Sequence, residues 1–129
     1  MIERQGRLLI DGRLQRGTIR FNSDGIQAIE LDEVQDGSSG GPVIAPGLID
    51  LHVHGFGGTD PLDNLPAMAL ALARVGTTAF LPTLFPADPE TLGLQVMALD
   101  GERAVLGKGE GARVLGTHLE GPFVNPLAA

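Results

Sequence analysis

Three apolar, strand-like segments, centred at about residues 50, 80 and 116, are separated by two stretches of helical composition, and this alternation limits what the chain can fold into. Val43 to Val53 reads as the first strand, broken into two pieces by Pro46–Gly47. Pro61 to Val75, rich in Ala, Leu and Met, reads as a helix closed by Gly76, and Thr77 to Leu81 gives the second strand. At Asp88–Pro89–Glu90 an N-capping aspartate precedes a first-turn proline, which predicts a helix running to about Arg103. Ala112 to Leu119 is the third strand. Strand and helix in alternation imply parallel strands with right-handed crossovers, an α/β fold. One unit takes about 30 to 35 residues, and eight such units make the roughly 250 residues of a (β/α)8 TIM barrel. Residues 46–129 are therefore expected to be the first three βα units of such a barrel. An open three-stranded sheet is the alternative, and it would leave the last strand as an unprotected apolar edge.

The first 45 residues follow another grammar. Leu8–Leu9–Ile10 runs into Asp11–Gly12, Thr18 to Phe21 alternates in polarity, Asn22–Ser23–Asp24–Gly25 signals a turn, and Ile26 to Leu31 reads as a further strand. Short strands joined by tight turns predict part of a small β-sandwich over 1–45. Asp36 to Pro42 has the composition of a loop or linker.

Composition excludes several classes. Nine Lys and Arg stand against sixteen Asp and Glu, a formal net charge of −7, which argues against nucleic acid and anionic membrane surfaces as partners. Cysteine is absent, so neither disulfides nor thiolate metal sites arise. The charged first residues lack the apolar core of a secretory signal, and no apolar run approaches the roughly 20 residues that span a bilayer. The expected location is the cytoplasm. With no Trp or Tyr, the core has to be built from aliphatic residues and five Phe.

The chemistry gathers at the ends of the predicted strands. His52 and His54 are separated by one residue, so on a strand both imidazoles face one side and can converge on a point. Neutral imidazole is the commonest protein ligand for zinc and similar ions. Two histidines capping a strand at the surface would be the ordinary alternative. Asp50 shares their face one step deeper, as a supporting hydrogen-bond acceptor or a polar residue of the strand interior. Glu120 ends the third strand in Thr117–His118–Leu119–Glu120–Gly121–Pro122–Phe123, where a carboxylate would share the rim with the histidines. A solvated loop glutamate is its bland alternative. His118 faces the same way as Glu120 and is expected to line the site through hydrogen bonds rather than to bind metal. Thr83, at the end of the second strand, either contacts substrate or caps the strand. The only lysine, Lys108, precedes the third strand at the wrong end to bridge two metal ions, which leaves Glu120 for that task. The glycines of Gly55–Phe56–Gly57–Gly58 lack a P-loop ending and read either as close backbone packing or as plain flexibility.

Three motifs in order carry a resemblance: Ala45–Pro46–Gly47–Leu48–Ile49–Asp50–Leu51–His52–Val53–His54–Gly55, then Gly76–Thr77–Thr78–Ala79–Phe80–Leu81–Pro82–Thr83, then His118–Leu119–Glu120–Gly121–Pro122–Phe123–Val124–Asn125–Pro126. With these the chain resembles the N-terminal third of the N-acetylglucosamine-6-phosphate deacetylases of the amidohydrolase superfamily. The resemblance implies a β-sandwich joined to a (β/α)8 barrel, and hydrolysis of the acetamide of an amino-sugar phosphate to release acetate. It implies His52, His54 and Glu120 as ligands of one or two divalent ions, zinc or iron first among them. It further implies a homodimer for the complete enzyme. No catalytic residue is expected within the chain, because the family's general base and remaining ligands fall beyond Ala129, so the missing C-terminal segments would be needed for turnover. Another amide or cyclic-amide hydrolase of the superfamily, and a non-catalytic metal-binding or assembly module, are the competing readings.

Overall fold

The computed structural model describes residues 1–33, 40–106, 111–125 and 127. Lys108 and residues 36–39 of the expected linker lie outside the described residues, as do 34 and 35. The chain divides into two units, Met1–Pro46 and Gly47–Ala129.

In the first unit, strands β1 (Ile2–Ile10), β2 (Arg13–Asn22) and β3 (Gly25–Leu31) form an antiparallel meander, and the short β4 (Val43–Ile44) adds to β1 in parallel, giving the order β3-β2-β1-β4. Arg20 ties three strands together across one face, with Glu3 at 2.7 Å and Glu30 also paired to it. The hydrogen bonds to Glu30 and Glu3 raise its pKa above the ordinary arginine range. Among the described residues Leu8 is the one large apolar side chain of this unit that is fully buried.

The second unit alternates strand and helix: β5 (Leu48–Val53), α1 (Pro61–Arg74), β6 (Thr77–Leu84), α2 (Pro89–Val105), β7 (Arg113–Val114) and β8 (His118–Leu119). β6 is central, with β5 on one side and β7 and β8 on the other, all parallel to it. The fold is α/β. Leu65, Met68, Ala69 and Leu72 of α1 and Leu92 and Leu99 of α2 close a core over Phe80 and Leu84 of β6, with Val53 packed against it. Because strand side chains alternate between faces, Thr83 lies on the face of β6 opposite Phe80 and Leu84, away from the helices.

Three local expectations are adjusted. The expected third strand, 112–119, is two short strands on one path. β7 pairs Arg113 and Val114 with Ala79 and Phe80, β8 pairs His118 and Leu119 with Thr83 and Leu84, and Leu115–Thr117 interrupts the ladder between them. The second strand runs three residues further than expected, to Leu84, because β8 gives its end a partner. The helix expected over 61–75 ends at Arg74 and breaks near its start, at Asn64 (φ −159°, ψ 79°). Pro66 explains this, since it lacks an N–H and is tolerated only in a first helical turn. Asp60 caps one turn through Leu62 N–H (2.8 Å), and the Asn64 side chain recaps the chain through Ala67 N–H (3.0 Å), placing Pro66 in a new first turn.

Asp88 is the N-cap of α2 as expected, with its carboxylate accepting from the Thr91 N–H (2.9 Å) and Thr91 hydroxyl (2.6 Å). These bonds hold its pKa below the ordinary value of 3.8. A depressed carboxyl pKa contributes stability that is complete above the unfolded value and is lost as pH falls through the folded one. The protection factor of the Thr91 amide, followed on acidification, is therefore expected to hold down to the ordinary carboxylate range and to fall below it. Asp88→Ala should exchange fast throughout. A Thr91 protection factor that ignores both acid and the substitution would contradict the cap.

Candidate metal centre

β5, β6 and β8 end at one level, and hydrogen bonds lace those ends together. The Asp50 carboxylate accepts from the backbone N–H of His52 (3.0 Å) and so sets the chain at that residue rather than its ring. The Thr83 hydroxyl accepts from the N–H of Val53, between the two histidines (3.0 Å). Glu120, just past β8, is held by its N–H to the Leu84 carbonyl (3.4 Å). The next residue, Gly121, packs so closely on Pro86 that a Cβ there would lie 2.8 Å from Pro86 Cα. A side chain at this position would push Glu120 away from the strand ends.

The result is a convergent donor set. His54 Nε2 lies 3.1 Å from His52 Nε2 and 3.1 Å from Glu120 Oε2. All three donor atoms fall within 4.8 Å of one another. Ligands bound at about 2.0–2.2 Å in tetrahedral array stand roughly 3.3–3.6 Å apart, so the two contacts of His54 are close to what one divalent ion needs, and His52 and Glu120 would draw together around it. Two neutral imidazoles and a carboxylate also match the donor chemistry of zinc and related ions. The residues fit a metal ion. His54 Nδ1 is buried and makes no hydrogen bond among the described residues.

Thr83 and His118 come together beside this set. His118 Nδ1 is 3.2 Å from the Thr83 hydroxyl, and its ring stands edge-on to His52 with centroids 4.8 Å apart. His118 is outside the three-donor group. Phe85 was not anticipated. Its ring stacks on His54 with centroids 4.0 Å apart and planes at 13°, although 60% of the residue remains exposed. The available signal was its place two residues past Thr83, where an aromatic side chain on a strand end can reach the same rim. The glycine-rich segment forms a tight turn. Phe56 and Thr59 exchange two backbone hydrogen bonds (3.0 and 3.2 Å), and Gly57 and Gly58 between them have φ of +66° and +79°. Positive φ at both central positions is what a type I′ turn demands, so these glycines serve turn geometry. The turn, His54 and Phe85 border an open hollow of about 520 Å3.

Fold and site together define an α/β protein with a candidate divalent-metal centre at the C-terminal ends of parallel strands. Over 128 residues the chain is 35% identical to the N-acetylgalactosamine-6-phosphate deacetylase of Escherichia coli O157:H7, which covers 95% of this chain and 33% of that protein. It is 38% identical over 92 residues to the N-acetylglucosamine-6-phosphate deacetylase of Bacillus subtilis, covering 67% of this chain and 23% of that one. These relatives are amino-sugar-phosphate deacetylases, hydrolases of the amidohydrolase superfamily, and such relatives match most of this chain at 32–39% identity. Its backbone matches the crystal structure of the N-acetyl-D-glucosamine-6-phosphate deacetylase from Mycobacterium smegmatis with a TM-score of 0.75 at 28% identity, covering all of this chain and 38% of that one. A mutant of the Mycobacterium smegmatis enzyme in complex with N-acetyl-D-glucosamine-6-phosphate matches with a TM-score of 0.70 at 29% identity. No protein-family model matches. The chain spans about a third of the length of the first of these curated relatives.

Proposed function

We propose that this chain forms the metal-binding N-terminal portion of a deacetylase that releases acetate from N-acetylglucosamine 6-phosphate, with His52, His54 and Glu120 as metal ligands. The convergence of two imidazole nitrogens and a carboxylate oxygen within 4.8 Å, at strand ends matched by a substrate-bound relative, is the observation that carries the reading. A divalent ion held there supplies Lewis-acid polarisation of the acetamide carbonyl and activation of water. The side chains contribute placement. Glu120 brings the negative charge that favours a cation over neutral donors alone, Asp50 and Thr83 hold the backbone on either side of His52, and Phe85 fixes the plane of the His54 ring.

The architecture we propose around this site is the first three βα units of a (β/α)8 barrel, with residues 1–45 as strands of a β-sandwich. In that setting the face of β6 opposite the helices becomes barrel interior, and the site lies at the C-terminal rim where barrel active sites are built. The exposed apolar residues of β5, Leu48, Ile49 and Leu51, suit a strand with a further neighbour to cover it. The complete enzyme on this reading is a cytoplasmic homodimer. One relative's name favours a second substrate, the C4 epimer N-acetylgalactosamine 6-phosphate.

The test has two stages. Zn2+ titrated into the 129-residue chain should bind at one site. Acetate release should then be followed with both epimeric substrates, using the chain alone and the chain supplemented with the C-terminal two thirds of a relative. Binding by the chain, with turnover only after supplementation, is the expected outcome. A chain that binds no divalent cation would overturn the reading, and the preferred epimer decides between the two substrates.

A further inference from the structure

Thr83 is almost completely buried, with 1% of its surface exposed, and its hydroxyl faces three different groups. The N–H of Val53 donates to it at 3.0 Å, the carbonyl oxygen of Leu81 lies at 3.3 Å, and His118 Nδ1 lies at 3.2 Å. A hydroxyl owns one proton and two acceptor positions. The Val53 N–H can only donate and therefore takes one acceptor position. The Leu81 carbonyl can only accept and therefore takes the proton. All three contacts are satisfied at once in one arrangement, with His118 donating its Nδ1–H to the remaining acceptor position. A neutral imidazole protonated at Nδ1 carries a lone pair at Nε2.

We propose that Thr83 is a positioning residue with two tasks: it fixes the peptide between His52 and His54, and it locks His118 as the Nδ1–H tautomer. The first task holds the two imidazoles in the register that brings their Nε2 atoms to 3.1 Å. The second makes the nitrogen left free on His118 an acceptor, on a ring packed edge-on to His52. Whatever enters the site beside His52 then meets a hydrogen-bond acceptor, which suits an amide N–H or a water and disfavours a carbonyl oxygen. The register pairs Thr83 with His118 across adjacent parallel strands, so the two side chains share a face without any distortion of the ladder. A merely space-filling residue at position 83 could be valine, which has the same shape and none of these bonds.

The first task rests on the metal-centre reading, whereas the second does not, and the experiment separates them. Imidazole 15N spectra of the unmodified chain at alkaline pH should show His118 protonated at Nδ1 and bare at Nε2. Thr83→Val should shift His118 away from that tautomer, and Thr83→Ser should retain it. Zn2+ affinity should fall by roughly 10- to 100-fold in Thr83→Val, as for loss of a group that orients metal ligands, and return in Thr83→Ser. His118 found protonated at Nε2 in the unmodified chain would overturn the tautomer lock. Unchanged Zn2+ affinity in a folded Thr83→Val would overturn the positioning of the histidine pair. If the unmodified chain binds no Zn2+, the metal-centre reading fails while the 15N spectrum still decides the tautomer. If Thr83→Val does not fold, the unmodified chain and Thr83→Ser carry the decision.

Discussion

Replacing His54 by alanine is expected to weaken divalent-cation binding by more than the roughly 100-fold that loss of an orienting partner costs, and further than either neighbouring substitution. The reason is geometric. His54 Nε2 is the hub of the donor set, 3.1 Å from both His52 Nε2 and Glu120 Oε2. Without His52, the pair of His54 and Glu120 still faces one point, and without Glu120 the two imidazoles still do. Without His54 the remaining donors lose the atom both of them contact. Glu120→Gln keeps the size of the side chain and removes its charge, so it should weaken binding by less than His54→Ala and with no change in fold. Phe85 loses its stacking partner in His54→Ala, but its ring is already mostly exposed, and thermal stability should barely move. Zn2+ titration by calorimetry, with the unfolding midpoint of the metal-free variants as control, measures both quantities. Equal affinities for the unmodified chain and His54→Ala would remove these residues from any metal centre.

The sequence announced the framework of this site more clearly than its details, and particular residues show why. His52, Val53 and His54 carry their geometry locally, because alternate side chains of a strand share a face whatever surrounds them. Asp88 and Pro89 likewise carry a helix start within three residues. Glu120 was legible through its place after an apolar segment, although its approach to His54 depends on Gly121 lying flat against Pro86, a contact between two loops that no local pattern reports. The break at Asn64 was written in the sequence as Pro66, but its location depended on which side chain could recap the helix. The interruption of the third strand between Val114 and His118 is a matter of pairing with β6, and the apolar run Ala112 to Leu119 contains no sign of it. The stacking of Phe85 on an imidazole is decided by where two strand ends meet, which no local pattern carries. Thr83 reads from the sequence as a residue at the rim, whereas two of its three hydrogen bonds reach segments distant in sequence, at Val53 and His118.

Phe80→Ala is expected to destabilise the second unit by about 3–5 kcal/mol, the usual cost of removing a fully buried phenylalanine. Phe80 has no exposed surface and stands on the central strand of its sheet, in one core with Leu65, Met68, Leu72, Leu92 and Leu99. The helices that close over it come from both sides of β6 in sequence, so the space left behind cannot be filled by moving one helix without disturbing the other. The backbone of Phe80 is also committed, pairing with Val114 in β7 and accepting from the Leu115 N–H at 3.0 Å. Collapse into the cavity would strain those bonds, which keeps the cost near the upper part of the range. Against a total stability of about 5–15 kcal/mol for an ordinary domain, such a loss removes between about a fifth and all of the margin. Leu94→Ala, on an exposed position of α2, should change stability by less than about 0.5 kcal/mol and serves as the reference. Urea unfolding followed by circular dichroism gives both values. Phe80 and Thr83 lie on opposite faces of the same strand, so loosening the core should also loosen the strand ends that hold the histidines. Zn2+ affinity in Phe80→Ala should therefore fall in proportion to the folded fraction and recover on cooling toward the temperature of maximum stability. A variant that loses the stability but keeps full affinity would show that the strand ends hold their geometry independently of the core beneath them.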